Sequence, residues 1–221
     1  MMSVSEAVAS RRSVRAFTDQ PVSIETLRRV LDKARMSPSG CNFQPWEASL
    51  VAGAPLAALQ AEMIAAAPQD PVEYVIEPPE LEETYRNRLR SLGAKMYGAM
   101  SIGRGDVDAR TAFVQNNTYS FGAPVVLFVH FPRYMGPPQW SDVGMWLQTV
   151  MLLLREEGLD SCPQEYMSMH GRLIKQHIGV SDETHLLFCG IAIGHADAEA
   201  PVNAFERERV PLEENIRFLG F

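Results

Sequence analysis

The stretch from Ser141 to Glu157 most restricts what this chain can fold into. At helical spacing, Met145, Trp146, Leu147, Val150, Met151, Leu152, Leu153 and Leu154 wrap most of a helix circumference. Such a helix must be buried nearly all round, in a core or along a dimer axis. Ser141 or Asp142 is placed to cap it after a loop holding Pro132, Gly136, Pro137 and Pro138, and Gly158 closes it. A second run, Pro124-Val-Val-Leu-Phe-Val-His130, is β-branched, aromatic and almost wholly apolar. It reads as a central strand covered on both faces.

Around these two elements the chain alternates helices and short strands. Ser3 and Glu6 have capping-box spacing, which predicts a helix from Val4 to Ser10. Ser23 caps a second helix, whose face of Ile24, Leu27, Val30, Leu31 and Ala34 runs as far as Met36. A strand is expected over Trp46 to Ala52 and a third helix over Leu56 to Ala66, with Pro55 in its first turn. Charged helices follow over Leu81 to Met100 and Asp106 to Asn117. A short helix near Met169 to Ile178, a strand from Leu186 to Ile193 and an extended tail over 197–221 complete the chain. Residues 68–80 carry four prolines and four acidic side chains, which marks a surface excursion, placed to act as a lid, and not a domain linker. Helices outnumber strands and no GxGxxG follows a strand, so the reading is α+β, a three-layer arrangement in a single domain over 1–221.

Composition excludes several classes. With 221 residues and a formal charge of −7, the chain has no overall basic field for nucleic acid or an anionic membrane, and its apolar runs stop well short of a span. Cys41, Cys162 and Cys189 are an odd, scattered set, which argues for a reducing compartment and a cytoplasmic location. The five histidines show no HxxxH-type spacing, so no metal site is expected. No GxSxG-type motif supports hydrolysis.

Two segments carry chemistry. Arg11, Arg12, Ser13 and Arg15 lie within five residues, between a helix end and an extended run. Forked guanidinium donors, a hydroxyl and backbone amides suit a phosphate, although a solvated basic surface at a helix C-terminus would have the same spacing. The segment Ser37-Pro38-Ser39-Gly40-Cys41-Asn42-Phe43-Gln44-Pro45-Trp46 gathers small and amide side chains suited to a flat, polar-edged ring. Its alternative reading is an ordinary helix-to-strand turn. Leu159-Asp-Ser-Cys-Pro-Gln-Glu-Tyr166 reads by itself as a connecting loop.

Together these segments resemble the nitroreductase family of FMN-dependent oxidoreductases, with its RRSxR-type motif, SPSxxNxQPW-type loop and GLxxxPxE-type loop. The resemblance runs from Arg11 to Phe221 in family order. It implies a central, mainly antiparallel sheet flanked by helices, in an intertwined homodimer with two FMN sites at the subunit interface, each built from both chains. Arg11, Arg12, Ser13 and Arg15, joined by Arg207 and Arg209 from the tail, would hold the phosphate and the pyrimidine edge. Pro38, Ser39, Gly40, Asn42 and Gln44 would reach the partner's flavin, with Cys41 and Phe43 as pocket wall. Pro163, Gln164 and Glu165 would lie at flavin N5, although Tyr166, where glycine is common in the family, leaves the backbone donor open among Gln164, Glu165 and Tyr166. The stretches Asn117 to Pro124 and Gln139 to Gly144, with Arg88, are similar to the nitroarene and nitrobenzoate reductase branch. The implied activity is two-electron, ping-pong hydride transfer from NAD(P)H through FMN to a nitroaromatic or quinone-like acceptor. Alternatives are another flavin chemistry of the family, such as reductive dehalogenation or ring dehydrogenation, and a non-catalytic FMN-binding protein.

Overall fold

Four strands, β1 (Glu47–Ala52), β2 (Val125–Pro132), β3 (Asp160–Gln164) and β4 (His185–Gly194), form an antiparallel sheet in the order β1-β2-β4-β3. The computed structural model describes residues 2–221. Strand β2 lies inside the sheet, and alternation sends its apolar side chains to both faces. Val125, Leu127, Val129 and Phe131 join Cys189, Ile191 and Ile193 in one core; Val126 and Phe128 join Leu187 in another. Burying each such large side chain fully is worth about 1.5–3 kcal/mol, so the apolar run dictates a layer on each side of it.

The layers come from helices with matching stripes. On the first face lie α2 (Ile24–Ala34), whose Leu27, Val30 and Ala34 point inward, and the long α6 (Pro137–Glu156). On the second lie α3 (Gly53–Ala65), through Leu56, Leu59 and Met63, and the short α7 (Gly171–His177), through Ile174. Helix α1 (Val4–Ser10) packs on α6 and begins with the expected reciprocal cap, Glu6 N donating to Ser3 Oγ and Ser3 N to Glu6 Oε2. Helices α4 (Glu83–Ala99) and α5 (Val107–Gln115) close a third cluster in which Phe113, Phe121, Cys162, Ala192 and Val202 meet Tyr97. A one-turn α8 (Leu212–Asn215) lies in the tail. The architecture is the three-layer α+β arrangement expected.

The structure corrects several local readings. Helix α6 starts at Pro137, not after Ser141 or Asp142: a proline in the first turn gives up an amide that has no helical partner anyway, and Gly136 N donates instead to Gln139 Oε1. The helix is also not buried all round within one chain, because Met145 is 40% exposed and Gln148 faces outward. Residues 160–164 are not a loop but edge strand β3, where Pro163 is tolerated because an edge can spare an amide. The expected 169–178 helix divides into a 3-10 turn over Glu165–His170 and α7.

The excursion 68–80 is fastened at its start. Gln69 N donates to Met169 O at 2.7 Å, the Tyr74 hydroxyl donates to Phe188 O, and Glu73 pairs with Lys175 and, at 2.8 Å, with Arg133. Both side chains of the Glu73–Lys175 pair are fully buried, and a Cβ on Gly171 would collide with the Glu73 carboxylate. Removing one partner of a buried pair strands the other charge in a low-dielectric environment. Lys175→Ala should therefore destabilise the protein by about 3–5 kcal/mol in urea unfolding. A loss within that of ordinary surface substitutions would show that the pair does not anchor this segment.

Candidate functional site

The arginine motif runs alongside the sheet as an added, irregular edge. Ser13 bridges Ser161 in parallel, Val14 N donates to Ser161 O at 3.1 Å, and Phe17 bridges Ala196. Asn203 fixes the middle of this segment: its Oδ1 accepts from Arg15 N at 2.8 Å, while its Nδ2 donates to Ala16 O and Asp197 O. The side chains at 11, 12, 13 and 15 are thereby turned toward α4 and the returning tail.

They share a cavity of about 820 Å³ with Arg207, Arg209, Phe205 and, from α4, Asn87, Arg88, Ser91 and Lys95. Among the described residues, none of Arg11, Arg12, Arg15, Arg207 and Arg209 lies within salt-bridge distance of a carboxylate. Backbone carbonyls hold Arg12, Arg207 and Arg209 instead. Arg12 Nη2 donates to Phe205 O at 2.6 Å, Arg207 Nη1 to Arg11 O, Arg207 Nη2 to Ala9 O at 2.6 Å, and Arg209 Nη1 to Glu208 O at 2.6 Å. Arg207 thus satisfies carbonyls at the C-terminal end of α1, where a cation is favoured. Burial, with Arg207 and then Arg209 beside it, pushes the Arg11 pKa down; burial and Arg207 do the same to Arg12. The acidic residues at the rim are committed elsewhere: Glu206 and Glu208 both pair with Lys95, at 3.1 and 2.6 Å. A cavity lined by several guanidinium groups that have no carboxylate within pairing distance suits a strong anion such as a phosphate monoester.

The two loops lie apart from this cavity's lining. Residues Gly40 to Gln44 are all exposed and project from the chain, with Cys41, Asn42 and Gln44 at positive φ. The loop is shaped by Gln44 N donating to Ser39 Oγ and by Gly40 N donating to Asp142 Oδ1 at 3.1 Å. Asp142, freed from capping α6, is the loop's post. Gln164 is buried at the end of β3, its Nε2 donating to Asn117 O at 3.0 Å and Oδ1 at 3.1 Å. Gly190 opposite it leaves room for the 165–170 turn, since a Cβ there would meet Met167 Cγ at 2.9 Å. Burial raises the Glu165 pKa. Cys162 is buried with its thiol pushed up to about 11, and Cys189 is pushed up as well, so neither is a nucleophile; the one exposed thiol is Cys41.

With this geometry in view, comparison with known proteins is decisive. The model of the nitroreductase family matches residues 8–195. The chain belongs to the nitroreductase family. It is 35% identical to 4-nitrobenzoate reductase of Pseudomonas putida over 97% of this chain and 94% of that one, and 31% identical to nitrobenzene nitroreductase of Ectopseudomonas oleovorans over 98% and 96%. Among solved structures, the FMN and NADPH-dependent nitroreductase NfnB of Sphigopyxis sp. strain HMH superposes with a TM-score of 0.94 at 48% identity, covering 99% of this chain and 100% of that one. The NADPH complex of the FMN-dependent NfnB of Mycobacterium smegmatis superposes at 0.90 with 29% identity, covering 97% of each.

Among nitroreductase-family motifs, the structure brings together Arg11, Arg12, Ser13, Arg15, Arg207 and Arg209, and places Pro163, Gln164 and Glu165 on the strand and turn beside Ser13. It does not bring Pro38, Ser39, Gly40, Cys41, Asn42, Phe43 or Gln44 to the cavity of their own chain. Sequence reasoning did not find Asn203, Asn87 or Lys95. Asn203 sits in what read as irregular tail, and only its short, buried amide in a segment returning to the motif could have signalled it.

His170 ends the turn that carries Glu165 and is buried, which lowers its pKa. A histidine with a folded-state pKa below its unfolded value adds stability that is complete above about 6.5 and is lost as pH falls toward the folded value. His170→Gln should therefore lose less stability than the parent between pH 7.5 and pH 5.5 in urea titrations. Parallel losses in the two proteins would exclude His170 as a source of acid sensitivity.

Proposed function

We propose that this chain is an FMN-dependent NAD(P)H oxidoreductase that reduces nitro groups on small aromatic acceptors, acting as a cytoplasmic homodimer. The observation that carries the reading is the set of arginines from both ends of the chain, held by carbonyls and left without carboxylate partners around one cavity. These residues fit the phosphate of FMN by charge, number and donor geometry.

In this reading Arg11, Arg12, Ser13, Arg207 and Arg209 hold the phosphate, and Arg15, anchored by Asn203, turns its charge to the pyrimidine edge. Pro163 would lead the chain to the ring, where the backbone amide of Gln164, Glu165 or Tyr166 would donate to its reactive nitrogen. Bound FMN supplies the hydride chemistry between NAD(P)H and the acceptor. The chain's own residues bind, orient and set charge: arginine charge at the pyrimidine edge stabilises the negative charge that reduction places there. The projecting loop of Pro38, Ser39, Gly40, Asn42 and Gln44 serves the partner's site, with Cys41 and Phe43 as wall for a stacked planar acceptor. Nitrobenzoate-like compounds are favoured by likeness to the reductases named above.

Exposed apolar side chains support the dimer. Val4 and Val8 on α1, Met145 on α6, and Phe218, Leu219 and Phe221 in the tail all lie open in one chain. Exposed side chains of this size are the kind that a subunit interface covers. Sedimentation at low micromolar concentration should show a dimer without monomer; a stable, flavin-loaded monomer would contradict the shared site.

The activity is tested aerobically with NADH or NADPH and a nitroarene. Hydroxylamine or amine should accumulate with little oxygen uptake, whereas oxygen consumption with the nitro compound regenerated would refute two-electron transfer. Arg12→Ala and Arg209→Ala should each lose FMN on dialysis, because a hydrogen bond to a charged group is worth about 1.5–3 kcal/mol. Full flavin occupancy in both variants would remove the phosphate assignment.

A further inference from the structure

A second cluster lies at the opposite edge strand, where β1, β2 and β4 run side by side. Glu47, the first residue of β1, is directly paired with His130 on β2. His185 opens β4, paired with Pro132, two residues further along β2. In a regular ladder His185 and His130 would point to opposite faces of the sheet, but β4 carries one extra residue. Val129 pairs with Cys189 and His130 with Leu187, so Phe188 has no partner on β2. That bulge reverses the alternation beyond it and brings His185, Leu187 and His130 to one face. The bulge is held from outside by the Tyr74 hydroxyl, which donates to the Phe188 carbonyl.

The resulting cluster leaves one buried ring nitrogen without a hydrogen bond. His130 is buried, and its Nδ1 has no hydrogen-bond partner. It faces Glu47 Oε2 at 3.8 Å, too far for a hydrogen bond, while its Nε2 sits 3.5 Å from Ser49 Oγ. Glu47 Oε1 lies 3.3 Å from His185 Nε2, and His185 Nδ1 is engaged by Thr184 Oγ1 at 2.8 Å. One ligand atom from each of the three residues falls within 4.8 Å of the others. Two ligands at zinc bond lengths of about 2.1 Å with a tetrahedral angle stand about 3.4 Å apart. The Glu47–His185 and Glu47–His130 spacings, each to its own carboxylate oxygen, bracket that value. Glu47, half exposed, can close the remainder, and His130, packed in the sheet, need not move.

We propose that Glu47, His130 and His185 form a three-ligand site for a divalent cation with the ligand preferences of zinc, which pins edge strand β1 to β2 and β4. Imidazole nitrogens with one carboxylate select a borderline cation over calcium or magnesium. The Thr184 contact orients His185 so that Nε2 is the ligand, as outer partners of metal-bound histidines commonly do. Lys175 is the nearby cation that would oppose a metal. Its Nζ donates to His185 O at 2.9 Å, but its charge is balanced by Glu73 and, at 2.5 Å, by Asp182. The site is separate from the arginine cavity: no residue is shared between them. Spacing along the chain could not reveal it, since the ligands lie 83 and 55 residues apart on three strands and are aligned by a bulge.

The test uses untagged, FMN-loaded protein freed of metal by chelator and titrated with zinc chloride by calorimetry, alongside Glu47→Gln and His185→Gln. Glu47 is half exposed and His185 partly so, and far-ultraviolet circular dichroism and the flavin spectrum check that folding is intact. The parent should bind one zinc per chain and gain thermal stability, and each variant should bind at least tenfold more weakly and lose that gain. Absence of saturable binding at one per chain, or unchanged affinity in both variants, would overturn the site.

Discussion

Like charges brought together inside a protein repel, and the arginines of this chain are brought together from positions nearly two hundred residues apart. The fold tolerates the arrangement because each held guanidinium finds a carbonyl: Phe205 O for Arg12, Ala9 O and Arg11 O for Arg207, Glu208 O for Arg209. Carbonyls satisfy donors without cancelling charge. The carboxylates in the cavity's lining, Glu206 and Glu208, are drawn off by Lys95 on the facing helix. The result is a positive cavity in a chain of net charge −7, which an anionic ligand relieves. The Ser13–Ser161 bridge and the Asn203 clamp hold the backbone of the arginine motif alongside β3.

Much of this was legible in the sequence where a local rule had no competitor. The Ser3–Glu6 capping box and the Ser23 cap gave helix starts to the residue, and the apolar run at 124–130 gave the central strand. Reading failed where tertiary context chose between equal local options. Asp142 looked like a helix cap, but Pro137 and Pro138 could open the helix earlier, and the aspartate was used to hold Gly40 N. Residues 160–164 looked like a loop because Pro163 and their shortness weaken a strand pattern; pairing with β4 supplied what propensity did not. The arginine motif suggested a phosphate, whereas its convergence with Asn203, Asn87 and Lys95 depended on how the tail returns across α4, which no local pattern encodes.

The two edges of the sheet carry different chemistry for a common reason. At the β3 edge the backbone of 13–17 continues the sheet irregularly and leaves side chains free to face a cavity. At the β1 edge, a bulge at Phe188 re-aims His185 toward His130 and Glu47. Interior strand β2, apolar on both faces, stays regular up to His130 and offers nothing reactive before it. Departures from regular pairing mark both places where polar groups converge.

The central claim, that this cavity is a phosphate site, is tested most directly by titrating flavin-free protein with FMN and with riboflavin, which differ by the phosphate alone. Two or more charge-assisted contacts predict that FMN binds at least about a hundredfold more tightly, and that Arg207→Ala narrows the difference. Equal affinity for the two flavins, or a preference that survives Arg207→Ala unchanged, would contradict the account.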